Sequence, residues 1–193
     1  MLRTTIRTAL AAALLGAGTL IAAAQDVAPE NRMTIELEAG DVVIGLRPDL
    51  APQHVERIKT LAADGAYDGV VFHRVIDGFM AQTGDVEFGR EPGNPRAGTG
   101  GSCLPDLPAE FTNEASFDRG VLGMARSADP NSANSQFFIM LDSAPHLNGQ
   151  YTIVGEVIEG MENVDAIEKG DSARNGVVAE PDRMVDVTVG DAG

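Results

Sequence analysis

Arg74 is followed at close spacing by Phe79, Met80 and Gln82, within the segment FHRVIDGFMAQTGD that runs from Phe72 to Asp85. A second segment, MARSADPNSANSQFFIML from Met124 to Leu141, carries Ala125 and Arg126 near its start and Gln136 and Phe138 near its end. A guanidinium is always charged in a protein and donates hydrogen bonds in a fixed fork. Set beside apolar side chains and amides, such a fork can stabilise charge that builds up only in a transition state, with no covalent step. Covalent and metal chemistry are poorly provided for. Ser102, Ser132 and Ser135 stand in no nucleophile-elbow pattern. His54, His73 and His146 lie far apart, and none has a second His or Cys at ligand spacing. The run Gly98-Thr99-Gly100-Gly101-Ser102 lacks the lysine of a phosphate-binding loop and reads as a structural turn. No cofactor and no metal are expected.

Each of these residues also has a plainer reading. Alone, Arg74 is a surface salt-bridge residue, Phe79 and Met80 are core, and Gln82 and Gln136 are solvated amides. Phe137 and Phe138 are neighbours in a strand-like run, so only one of them can face a groove. Phe138 is assigned to the groove and Phe137 to the core.

The elements that would position these residues follow from periodicity. Ile35 and Leu37, then Val42, Ile44 and Leu46, alternate on either side of Gly40-Asp41, which reads as a hairpin from Met33 to Leu46. Pro52 can open a helix whose apolar face is Val55, Ile58, Leu61 and Ala62, and Gly65 can end it. Short apolar runs at Val70–Phe72, Phe79–Gln82, Val121–Ala125, Phe137–Leu141 and Ile153–Val157 read as strands. A second helix is expected over Met161–Lys169 and a last strand over Met184–Val189. Between Glu87 and Phe111 the chain is rich in Gly and Pro, and loops of that length commonly shape a site or an edge. Many strands with two helices point to a barrel or sandwich.

The two segments resemble the signature stretches of the cyclophilins. The similarity extends from about Met33 to Val189 and includes Tyr67-Asp68-Gly69 and the VGEVIEGME stretch from Val154 to Glu162. It implies an all-β fold, a closed eight-stranded antiparallel barrel capped by two α-helices, with a substrate groove on its outer face. It further implies peptidyl-prolyl cis-trans isomerase activity. By motif position, Arg74 is similar to the family's catalytic arginine and Gln82 to its neighbouring glutamine. Phe79, Met80, Phe138 and Leu147 correspond to the apolar wall that receives proline, and Ala125 and Gln136 to residues that meet the substrate backbone. Tyr151 matches more loosely, the best-known members having histidine there. His146 stands where many members have tryptophan, which implies weak affinity for cyclosporin-type ligands. Arg126 stands where the best-known members have asparagine, with consequences for how the acyl side of the substrate is held. A polypeptide-binding chaperone module with incidental isomerase activity is the alternative. A carbohydrate- or small-molecule-binding barrel is weaker, because it gives the arginine and the apolar residues no joint purpose.

Residues 1–24 have the layout of a secretory signal. Arg3 and Arg7 precede an apolar run from Ala9 to Ala24, and Ala22 and Ala24 fit the small-residue positions of a cleavage site. The run is Ala- and Gly-rich and shorter than the roughly 20 predominantly apolar residues that span a bilayer. Cleavage after Ala24 would leave residues 25–193 as a single domain, periplasmic or secreted, without stable membrane association. The 193-residue chain has a net charge of −15, which argues against nucleic acid as a partner, since phosphate binding needs a basic face. The expected partners are proline-containing polypeptides, and the chain is expected to be a monomer. Cys103 is the only cysteine, so no internal disulfide can form; it reads as a small buried hydrophobe.

Overall fold

The computed structural model describes residues 27–190. The signal-peptide reading of residues 1–24 lies outside the described residues.

Strands β1 (Arg32–Leu37) and β2 (Gly40–Leu46) form the hairpin, with Met33, Ile35 and Leu37 buried on one strand and Val42, Ile44 and Leu46 on the other. Pairing of Leu37 with Gly40 puts the turn at Glu38-Ala39, just ahead of the expected Gly40-Asp41. Gly40 already belongs to the ladder, at φ +133°, and a Cβ there would press on the Asn163 side chain.

Helix α1 (Pro52–Ala63) starts on Pro52, as expected, but has no local side-chain cap. The backbone N–H groups of Gln53 and His54 instead donate to the carboxylate of Glu110, 3.2 and 3.1 Å away, which satisfies donors that a helix start leaves unpaired. At the other end Gly65 takes the left-handed conformation, and Ala66 N–H donates to Leu61 O while Gly65 N–H donates to Ala62 O. Val55, Ile58 and Leu61 bury their side chains in the main core. His54 is buried as well, its Nδ1 2.6 Å from Glu110 Oε2. Burial would raise the pKa of Glu110, but hydrogen bonds from the His54 side chain and from the backbones of His54 and Gln53 outweigh it and hold the carboxyl below its ordinary range.

The remaining strands are β3 (Arg74–Ile76), β4 (Met80–Thr83), β5 (Val121–Met124), β6 (Phe137–Met140), β7 (Ile153–Glu159) and β8 (Asp186–Val189). All pairs are antiparallel, in one eight-stranded sheet of order β3-β4-β6-β5-β7-β2-β1-β8. The expected closed barrel is corrected here: the sheet curls, but no ladder joins its edges β3 and β8. The chain between Val177 and Met184 crosses the gap with scattered bonds, Val178 N–H to His73 O, Phe72 N–H to Asp182 O and Met184 N–H to Val70 O, and with isolated bridges at Val71–Arg183 and Arg74–Val177. Pro181, which has no N–H to donate, interrupts any continuous ladder along this segment.

Other boundaries also shift from expectation, most of the strand ends by one or two residues. Val70–Phe72 is buried but forms only the bridge at Val71, and the strand begins at Arg74. Helix α2 (Met161–Ala166) stops short of Lys169, because Ile167 turns to extended dihedrals, φ −56° and ψ 133°, and buries its side chain in the core. Cys103 is exposed, a correction to its reading as a buried hydrophobe; it sits in the irregular Gly- and Pro-rich segment, which packs no apolar layer over it.

Buried side chains fall into two clusters. The larger, inside the curl, includes Phe137, Tyr67, Phe72 and the α1 face. The smaller lies on the outer side of β4, β6 and β5 and includes Met80, Phe117, Phe138, Leu147 and Ile153. Phe137 and Phe138 thus lie on opposite faces of β6, as strand alternation requires.

Candidate active site

Sheet register brings the candidate residues into line. Arg74 on β3 is opposite Gln82 on β4, Gln82 is opposite Phe138 on β6, and Phe138 is opposite Gly123 on β5. Directly opposed residues share a face, so the arginine, the amide and the aromatic ring form one row across the outer side of the sheet. Gly123 completes it by absence: a Cβ there would collide with the rings of both Phe138 and Phe117. The Phe138 ring can therefore lie back over β5, stacked on Phe117 with centroids 5.7 Å apart and edge-on to Tyr151 at the same distance.

The row borders a hollow of 190 Å³ lined by Arg74, Phe79, Met80, Gln82, Ala125, Arg126, Phe138, Leu147 and Tyr151. Met80, Phe138 and Leu147 are buried and supply its apolar floor and wall, while Phe79 is half-buried at the edge. Leu147 reaches the hollow from a short 3-10 turn at Pro145–Leu147. Gln136 and His146 do not line it. Gln136 faces an adjoining cavity of 490 Å³ that shares Gln82, Ala125 and Arg126 with the hollow. His146 is exposed and stacks on Phe79, ring centroids 5.9 Å apart and planes 22° apart.

Arg74 is held from two sides. Its Nε donates to Asn175 O at 3.0 Å and its Nη2 to Asn175 Oδ1 at 3.1 Å. Its Nη1 donates to Gln82 Oε1 at 3.1 Å and lies 3.7 Å from Met80 Sδ. The orientation of the Gln82 amide is set from further away. Gln136 Nε2 donates to the Gly100 carbonyl at 2.8 Å, which turns Gln136 Oε1 to accept from Gln82 Nε2 at 3.0 Å. Gln82 must then present its own oxygen to Arg74. A chain of amides thus runs from the loop at Gly100 to the guanidinium. Half-burial lowers the Arg74 pKa, with the nearby Tyr151 opposing the effect, and an arginine remains charged through such a shift.

Arg126 is folded against the protein. Nε and Nη2 donate to Gln150 O at 3.2 and 2.8 Å, Nη1 donates to Ser127 O at 2.9 Å, and the guanidinium carbon lies 4.4 Å from the Tyr151 ring centre. Glycines 98 and 100 cradle an anion, but it is the protein's own: both backbone N–H groups donate to Asp85 Oδ2, at 2.7 and 3.0 Å.

Sequence reasoning missed Asn175. It is the one non-glycine residue with positive φ (56°) among the described residues, and it closes a 3-10 turn over Ser172–Arg174. The Asn175-Gly176 pair is a legible turn signal, but nothing local ties that turn to Arg74, which is far away in sequence. As an ensemble, the site offers a fixed cation at the mouth of an apolar hollow, with N–H groups on Nη1 and Nη2 that meet no protein oxygen among the described residues. Such an arrangement can hold an apolar ring and donate hydrogen bonds to an atom beside it.

Comparison with known proteins finds relatives of one family. The family described as "Cyclophilin type peptidyl-prolyl cis-trans isomerase/CLD" matches residues 32–189. A probable peptidyl-prolyl cis-trans isomerase of Brucella suis is 57% identical over 95% of this chain and 96% of its own length. A peptidyl-prolyl cis-trans isomerase of Arabidopsis thaliana is 40% identical over 71% of this chain and 82% of its own. Among solved structures, a Cryptosporidium parvum cyclophilin-type isomerase in the presence of the dipeptide Ala-Pro superposes with a TM-score of 0.72 at 30% identity, covering 82% of this chain and 98% of that one.

Proposed function

The chain belongs to the cyclophilin-type peptidyl-prolyl cis-trans isomerases, and from that premise we propose how its groove turns a prolyl bond and where it does so. The proline ring sits in the hollow of Met80, Phe138 and Leu147, with Phe79 closing one edge, and Arg74 addresses the prolyl nitrogen. The single observation that carries this reading is the position of the Arg74 fork at the mouth of that hollow, held by Asn175 and Gln82.

An amide resists rotation by about 18–20 kcal/mol because the nitrogen lone pair is shared with the carbonyl. As the bond twists, the nitrogen becomes pyramidal and the lone pair localises. A donor aimed at that nitrogen binds the twisted state better than either planar isomer, which is transition-state stabilisation in the strict sense. Uncatalysed isomerisation takes tens to hundreds of seconds. A turnover of about 10 s⁻¹ then corresponds to roughly a thousandfold gain, or about 4 kcal/mol. A few placed hydrogen bonds are of that size in a partly desolvated site. Asn175 and the Gln82–Gln136 pair fix the guanidinium before substrate arrives, so little reorganisation is left for the reacting step. The cavity bordered by Gln136 and Ala125 receives neighbouring residues of the substrate.

In the cell, residues 1–24 act as a cleaved secretory signal, and residues 25–193 work in the periplasm or beyond it on proline-containing segments of other exported proteins, as a monomer. Support comes from the Arg-then-apolar layout and the Ala22/Ala24 pair. The test has two parts: the N-terminus of protein recovered from the periplasmic and medium fractions, expected at Gln25, and refolding of a secreted client whose slow phase is proline-limited. Acceleration lost in Arg74→Ala supports an isomerase acting on exported clients. Acceleration kept in Arg74→Ala favours the chaperone alternative, and an unprocessed cytoplasmic chain contradicts export.

A further inference from the structure

Next to Arg74 lies another cavity, of 560 Å³, lined by residues at the start of β3, in the 93–99 segment and in the 174–181 segment. Arg74 and Gln82 belong to both walls, so the two spaces adjoin. No aspartate or glutamate lines this second cavity, although the chain has 29 acidic residues against 14 Lys and Arg. Two arginines do line it, Arg74 and Arg174. Arg74 is engaged by Asn175 and Gln82, whereas the exposed Arg174 side chain has no ion pair among the described residues. A buried histidine lines the cavity as well. His73 is only 8% exposed, and neither of its ring nitrogens meets a protein partner among the described residues.

The geometry points to a subsite for an acidic side chain of the substrate polypeptide, an aspartate or glutamate near the proline, whose carboxylate is received by Arg174 while the ring occupies the hollow. This rests on the reading of the hollow as the proline site. The argument is one of local against global charge. A protein of net charge −15 repels acidic polypeptides at long range. A cavity with no acidic side chain in its lining and with an uncommitted guanidinium, sharing a wall with the reacting site, offers such a segment a complementary surface, and the Asp85 carboxylate behind Gly98 is already taken up by the Gly98 and Gly100 N–H groups. A guanidinium fork also matches carboxylate geometry. The cavity on the other side of Gln82 does not discriminate in this way, because it holds both Arg126 and Asp106, and Arg126 is spent on Gln150 and Ser127.

The test uses peptides with a single proline in an alanine background, with Glu or Gln placed in turn at about three positions on either side, a reach of about 10 Å. The ratio of kcat/KM for Glu to that for Gln is read for each position at low ionic strength. Being internal to each protein, the ratio is insensitive to any overall loss of activity in a variant. Glu is expected to exceed Gln roughly two- to fivefold at one or two adjacent positions on one side of the proline, the range of an exposed ion pair. The ratio is expected to fall toward unity near 1 M salt, where the Debye length is about 3 Å. It should vanish in Arg174→Gln and persist in Arg174→Lys. A flat profile in the wild type, or a preference that survives Arg174→Gln, overturns the subsite alone. A wild type that accelerates none of the peptides overturns the underlying reading and the subsite with it.

Discussion

The backbone oxygen and the side-chain oxygen of Asn175 both accept from Arg74, from Nε at 3.0 Å and from Nη2 at 3.1 Å. One residue thus grips two edges of the guanidinium while it holds a left-handed conformation (φ 56°).

Asn175→Ala keeps the backbone acceptor in name, but removes Oδ1 and puts a residue poorly suited to positive φ at that place. We expect kcat for a short Xaa-Pro peptide to fall about tenfold with little change in KM, since the grip orients the cation and does not touch the ring. Asn175→Gly keeps the conformation and loses only Oδ1, and should lie between the two. Equal kcat in all three proteins would show that Arg74 needs no such hold.

Gly123 is opposite Phe138 in the register, and a methyl there meets the rings of Phe138 and Phe117. Gly123→Ala should cost about 1–3 kcal/mol of stability, the usual range for overpacking. It should also push the Phe138 ring into the hollow, so that KM rises. Urea unfolding and peptide kinetics together check this; an unchanged midpoint with unchanged KM would mean that the ring has room elsewhere.

Burial lowers the His73 pKa from 6.5 to about 4, opposed by Asp85 and aided by Arg74. The unfolded chain therefore takes up a proton below pH 6.5 that the folded chain refuses until about pH 4. The associated stability is fully present above 6.5, declines as the pH falls through this window and is spent below 4, a loss of about 3 kcal/mol. His73→Leu cannot titrate, so the stability difference between wild type and variant should change by that amount across the window. Parallel pH profiles would contradict the assignment.

Most of the framework was legible because it follows short-range rules. The β1–β2 alternation, Pro52 and Gly65 around α1, and the split of Phe137 and Phe138 between two faces each depend on a few adjacent residues. What was not legible depends on where the chain comes back. Val70–Phe72 has the apolar content of a strand, yet Val71 N–H donates to Gly89 O and Phe72 N–H to Asp182 O, so neither extends a ladder. The open seam between β3 and β8 has the same origin. Asn175 was invisible for the same reason: its partner is brought to it by the 170–178 segment folding back on β3, through Gly170 N–H to Val75 O and Val75 N–H to Gly176 O. The hollow itself is legible only through motif resemblance; its row of Arg74, Gln82, Phe138 and Gly123 is a property of register, which spacing within one segment does not encode.

The account turns on Arg74 acting on the bond and not merely bordering the groove. The most direct measurement is the rate of cis-trans exchange of a short Xaa-Pro peptide, by protease-free kinetics or exchange NMR, for residues 25–193 with and without Arg74→Ala. The wild type is expected to accelerate exchange, and Arg74→Ala to lower kcat/KM about a hundredfold or more, on the order of 2.7 kcal/mol, the scale of losing one preorganised donor. Equal rates for the two proteins would contradict it.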